Sequence, residues 1–156
     1  MLDWVKDSAF GPHQKKTRVY LAGSLSNRSI VHIHNHLEEH AGVVCFSSWM
    51  ATHPEADDYW RDYEKTRGAS FVDALKKPSA QAVFNFDKTF IDLADVMVMC
   101  TPCGKSAHLE LGYVLGKGKP GFIFMPDEPS RWDVMYGFAT DVFVGIDDLV
   151  ERLRRF

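Results

Sequence analysis

Apolar and polar positions along this chain fall into two alternating rhythms. Five runs are apolar throughout or nearly so: RVYLA at 18–22, GVVCF at 42–46, VMVMC at 96–100, GFIFM at 121–125 and the shorter DVFV at 141–144. Continuous runs of this length suit strands buried on both faces of a parallel sheet better than half-exposed strands, which alternate. Between them the spacing turns helical. Ile30, Ile33, Leu37 and Ala41 predict a helix over about 27–40, and Ala107, Leu111, Val114 and Leu115 predict another, starting at Lys105 or Ser106 and ending before Gly118. Pro54 opens a helix reaching Arg67, with Gly68 after it; a short one covers 70–76 before Pro78, and another covers 85–94. Ile146, Leu149, Val150 and Leu153 make a closing amphipathic helix, with Arg152, Arg154 and Arg155 where its dipole favours cations. The alternation predicts an α/β fold: a single flavodoxin-like or Rossmann-like domain with a five-stranded, mostly parallel sheet and helices on both faces. It occupies 17–156, and 1–16 forms an N-terminal extension that the pattern does not place.

Composition narrows the partners. The chain has 156 residues, enough for one domain with a proper core, and 46% of them are hydrophobic. A net charge of −3 supplies no basic field for a nucleic-acid polymer. No apolar run approaches the roughly 18 residues of a membrane span, and the N-terminus lacks a signal-peptide core, so a cytoplasmic protein without a membrane partner is expected. Three cysteines, an odd number, fit a reducing compartment.

Several stretches carry candidate chemistry. The loop GSLSNRS at 23–29 puts Gly23, Ser24 and Arg28 ahead of a helix N-terminus, which is either an anion site or a plain cap. HIHNHLEEH at 32–40 contains an H-x-x-E-H pattern, but its histidines lie off the core stripe, so a solvated histidine-lined face is expected and no metal. Cys100 and Cys103 frame a C-x-P-C between strand and helix, the spacing of a redox pair. Trp49, His53, Trp60 and Arg61, in the aromatic-rich segment 47–84, have the chemistry to stack on and hydrogen-bond a nucleobase, although aromatics mostly fill cores. Asp87 stands near the start of the expected helix over 85–94 and reads as its N-cap. Glu110 lies at one edge of the stripe on its helix and His108 at the other, while Leu109, Gly112, Tyr113 and Gly116 form a second face needing a partner.

The strand, the Gly/Ser turn, SAHLELGY at 106–113 and GKP at 118–120 together resemble the nucleoside 2-deoxyribosyltransferase superfamily, which includes the 2′-deoxynucleoside 5′-phosphate N-hydrolases. VYLAGS at 19–24 resembles the family's first strand and loop, and Asp87 stands 23 residues before Glu110, where the family carries an aspartate near its substrate. The resemblance runs from about 18 to 153, and 46–84 lies outside it. It implies cleavage of the N-glycosidic bond of a nucleoside or its 5′-monophosphate, with Glu110 as nucleophile, Asp87 as a second catalytic carboxylate, water or a second base as acceptor, and no cofactor. It further implies a small-molecule nucleoside or nucleotide partner, a homodimer or larger assembly, and substrate contacts from Tyr20, Gly23, Ser24, Arg28, Gly104, Ser106 and His108; Trp49 and Trp60, outside the resemblance, are expected substrate contacts on their aromatic chemistry alone. Family members that exchange bases carry an acidic residue six positions before the glutamate, where this chain has Gly104. The other readings are a TIR-like NAD glycohydrolase, a CxxC thiol oxidoreductase and a non-catalytic nucleotide-binding module.

Overall fold

The computed structural model describes residues 16–47 and 59–156. Its strands are β1 (Arg18–Ala22), β2 (Val44–Phe46), β3 (Val96–Cys100), β4 (Gly121–Met125) and β5 (Asp141–Val144). Helices α1 (Ser29–Ala41), α2 (Tyr59–Thr66), α3 (Phe71–Ala74), α4 (Pro78–Leu93), α5 (Lys105–Gly116) and α6 (Ile146–Leu153) connect and close them, with a 3₁₀ turn over Val134–Phe138. All five strands are parallel, in the order β2-β1-β3-β4-β5. The expected α/β class therefore holds, with a sheet that is wholly rather than mostly parallel.

β3 and β4 are buried at every position, as their unbroken apolar runs require. β5 differs: it is the edge strand, with Val142 and Val144 exposed, and Phe143 reaches inward to meet Phe122 edge-on at 5.5 Å. The crossover and closing helices form two pairs, α1 with α6 and α4 with α5, and α2 packs on α4 as well. Right-handed crossovers on a strand order that reverses at β1 put these pairs on opposite faces, and a crevice opens where neighbouring connections diverge.

Two boundaries depart from the sequence pattern for local reasons. α1 starts at Ser29 because Asn27, buried at 6% exposure, turns its side chain back: Oδ1 accepts from the Ser29 amide at 3.1 Å and Nδ2 donates to the Pro102 carbonyl at 3.3 Å. α4 begins at Pro78 and runs for 16 residues, absorbing the expected helix over 85–94. Pro78, which reads as a terminator for 70–76, is a first-turn initiator here, since proline's missing N–H costs nothing at that position. α2 begins at Tyr59, and the rest of the helix expected from Pro54 lies outside the described residues.

The end of the sheet opposite the crevice is tied by charge. Arg18 donates its backbone N–H and both arms of its guanidinium to Asp95, and Lys119 donates to the Asp92 and Ala94 carbonyls at 2.6 and 2.8 Å where α4 ends. Burial alone raises the Asp95 carboxyl pKa, but the hydrogen bonds and charge of Arg18 outweigh it and leave it below its ordinary value. Among the described residues no helix is long and apolar enough to cross a membrane.

Candidate active site

β1 and β3 are neighbours, so the loops that leave their carboxyl ends face each other. Gly23 permits that approach: a Cβ there would sit 2.7 Å from Ile30 Cδ1 and 3.4 Å from the Cys100 carbonyl oxygen. The Asn27–Pro102 hydrogen bond then joins the two loops directly. Ser24 folds over the exit of β1, its Oγ 2.8 Å from Ser26 Oγ and accepting from the Ser26 amide.

Between these loops lies a cleft of about 260 Å³. Tyr20, Gly23, Ser24 and Leu25 wall it on the β1 side, Gly104, Ser106 and Glu110 on the α5 side, and Asp87 projects from α4. A second cleft of about 330 Å³ continues past the same carboxylates, walled by Phe84, Lys88 and Ile91 of α4 and by Leu109 and Tyr113 of α5. Asp87, Ser106 and Glu110 border both. Asp87 is in the third turn of α4, so the N-cap role its sequence position suggests does not apply. Phe84, Asp87, Lys88 and Ile91 share one face because they stand at helical spacing, a signal readable only once the helix starts at Pro78.

The two helices bearing the carboxylates are cross-tied one turn beyond them. Tyr113 Oη donates to Asp92 Oδ1 at 2.8 Å, Lys88 Nζ to Asp92 Oδ2 at 2.5 Å, and Lys117 reaches the same carboxylate at 3.5 Å. Both ammonium groups lie 5.3 Å from the Tyr113 ring centroid, within cation–π range. Burial pushes the Asp92 carboxyl up, yet these hydrogen bonds hold it below its ordinary range. On the other wall Tyr20, only 2% exposed, stacks on Phe46 at 5.7 Å, and Phe46 stacks on Phe90 of α4 at 3.9 Å. An aromatic row thus links the cleft floor to the helix that bears Asp87.

No family model matches the chain, and no curated protein matches it. Among solved structures it is similar to the 2-deoxyribosyltransferase of the psychrotolerant bacterium Bacillus psychrosaccharolyticus, with a TM-score of 0.60 and 20% identity over 86% of this chain and 90% of that one. A conserved protein from Enterococcus faecalis V583 superimposes with a TM-score of 0.61 at 11% identity, over 90% of this chain and 98% of that one. The fold is that of a nucleoside 2-deoxyribosyltransferase.

On this deoxyribosyltransferase-like fold the residues singled out in the sequence divide. Glu110, Asp87, Tyr20, Gly23, Ser24, Gly104 and Ser106 converge on one cleft. Arg28, His108 and Trp60 line neither cleft. Arg28 is exposed just before α1, and His108 turns outward, its Nδ1 2.9 Å from the Gly104 carbonyl oxygen and its Nε2 3.4 Å from Tyr136 Oη. Trp60 is half-buried in α2. Trp49 and His53 lie outside the described residues.

Burial pushes the Cys100 and Cys103 thiols above their ordinary pKa, and the negative charge of Glu110 pushes Cys103 further, the opposite of what a redox pair needs. Among the described residues no three His, Cys, Asp or Glu side chains group closely enough to hold a metal ion. On the histidine-bearing helix His32 and His40 are exposed, as the expected solvated face requires; His34 Nδ1 lies 2.8 Å from Ser47 Oγ, and the His36 and His40 rings meet at 4.3 Å.

Proposed function

We propose that this chain breaks the N-glycosidic bond of a 2-deoxynucleoside or its 5′-monophosphate, with Glu110 as nucleophile. The sugar occupies the polar cleft, with C1′ against Glu110, and the base extends into the second cleft. A carboxylate oxygen of Glu110 forms a bond to C1′ while the C1′–N bond breaks, and its electron pair leaves with the base. Asp87 hydrogen-bonds the departing base and serves the proton that neutralises it. Water then adds to C1′ as the C1′–O bond to Glu110 breaks, giving its proton to the Asp87 carboxylate, and the Glu110 carboxylate is restored through a second oxocarbenium-like transition state, as in retaining glycosidases.

The observation that carries this reading is that Asp87 and Glu110 border both clefts at the carboxyl end of a deoxyribosyltransferase-like sheet, where such folds bind ligands. Gly104 in place of an acidic residue favours water over a second base as acceptor. Gly104 and Ser106 at the α5 N-terminus, with Ser24, line the polar cleft, and with the sugar's 5′ position against them a 5′-phosphate gains charge-assisted hydrogen bonds that a hydroxyl does not. We therefore expect a higher kcat/KM for a monophosphate than for its nucleoside.

Incubating the protein with nucleosides, deoxynucleoside monophosphates and NAD, and separating the products by chromatography, tests the reading. Free base from a deoxynucleoside or its monophosphate is expected, and release of nicotinamide alone would replace it with NAD cleavage. Glu110→Ala, at a half-buried helix position, should lower turnover at least about a thousandfold, ~4 kcal/mol, with an unchanged melting temperature. Near-wild-type turnover by that variant ends the proposal.

A further inference from the structure

The second cleft has a property that its sequence does not announce. Besides Asp87, Ser106 and Glu110 at the floor it shares with the polar cleft, Lys88 and Tyr113 carry polar ends, yet the surface it exposes is apolar almost throughout. Asp92 is the reason. Outside the cleft it holds the Lys88 ammonium at 2.5 Å and the Tyr113 hydroxyl at 2.8 Å, so the lysine stem and the tyrosine ring are what remain to face inward. With Phe84, Ile91 and Leu109 they enclose about 330 Å³, within the roughly 300–1,000 Å³ range of small-molecule sites. The floor is shared with Asp87 and Glu110, so a ligand there is continuous with one in the polar cleft.

We infer that this cleft, kept apolar by the Asp92 clamp, is a subsite for an alkyl- or aryl-bearing ring, and that it discriminates against rings presenting only polar edges. Asp87, Ser106 and Glu110 can meet a polar edge at the floor, but a carbonyl or amino edge turned to the Phe84, Ile91 and Leu109 side gives up water without finding a partner there, whereas an alkyl group gives up only unfavourable hydration. Full burial of each added methylene tightens binding about fourfold. The identification of the ring as the base of a nucleoside rests on the proposed function; the preference for apolar ligands does not.

Titration calorimetry with free uracil, thymine, 5-ethyluracil and 5-phenyluracil reads the subsite without any bond being broken. Affinity is expected to rise along the series. Leu109→Gln, at 76% exposure and in a helix that glutamine suits, should cut the advantage of 5-ethyluracil over uracil severalfold while leaving uracil nearly unaffected. Asp92→Ala, which releases Lys88 and Tyr113, should flatten the series as well. Equal affinity for uracil and 5-ethyluracil, or a gradient that survives both Leu109→Gln and Phe84→Gln, overturns the inference. A gradient in binding with no base released from any deoxynucleoside upholds the subsite and removes the proposed function. Base release at equal kcat/KM across 5-substituted deoxyuridine monophosphates, with no gradient in binding, does the reverse.

Discussion

Gly104 stands six residues before Glu110, and nothing lies within 4 Å of where its Cβ would be. Its φ of −90° is open to any residue, so an acidic side chain fits there without strain. If the acceptor is chosen at this position, Gly104→Asp should raise the ratio of base exchange to hydrolysis about tenfold, a differential of ~1.4 kcal/mol. Supplying a second free base and quantifying the new deoxynucleoside measures it, and an unchanged ratio would show that acceptor choice is made elsewhere. Cys103 Sγ lies 3.9 Å from His108 Nδ1, and burial, with the charge of Glu110, raises its thiol pKa above the ordinary value, which disfavours a nucleophilic thiolate. Cys103→Ala is expected to keep base release within about tenfold, ~1.4 kcal/mol. A larger loss in a folded variant would return the thiol to the mechanism.

At the scale of elements, the strands were legible because unbroken apolar runs have few alternatives, and Val96–Cys100 and Gly121–Met125 match their runs residue for residue. The Glu110 helix was legible for the same reason, its apolar positions falling at helical spacing. α4 was not. Its first half, PSAQAVFNF, carries Phe84 and Phe86 on exposed positions, so no apolar stripe marks it as helix, and the proline at its head has opposite meanings at a helix start and just past a helix end. The apolar cleft was hidden with it, since Asp92, Lys88 and Tyr113 meet only through packing between helices. The Arg18–Asp95 pair carries a pH signature. Asp95 has a lowered pKa in the folded chain, so its contribution to stability is complete above the ordinary carboxylate range and is lost as the pH falls through its folded value. Asp95→Asn should therefore melt below wild type at pH 7, and the gap should shrink as the pH falls below the ordinary carboxylate range, closing only beneath the lowered folded value. A gap independent of pH would mean that the side chain matters only through its shape.

At the scale of the whole molecule, α5 presents an uncovered surface. Leu109 is 76% exposed, and Gly112 and Gly116 are exposed with open space where a Cβ would point. Tyr113, grouped with them in the sequence, instead turns to Asp92. We propose that the glycine face joins two copies of the chain, because two small residues four apart let a second backbone come close. Sedimentation at micromolar concentration should give a dimer, and Gly112→Glu with Gly116→Glu should give a monomer of undiminished helicity, since glutamate is the better helix former. A wild-type chain that stays monomeric contradicts the assembly.

The place of β1 in the sheet has a consequence on the ribosome. It pairs with β3, and the Arg18–Asp95 contact that closes this pairing spans 77 residues. Synthesis at roughly 5–20 residues per second leaves β1 waiting about 4–15 s for that neighbour. During the delay the edge of Val19, Leu21 and Ala22 that β3 will cover is an open template for any passing strand. The pause before Asp95 emerges is thus when the nascent chain most needs a holdase, and a message truncated there yields a fragment that aggregates.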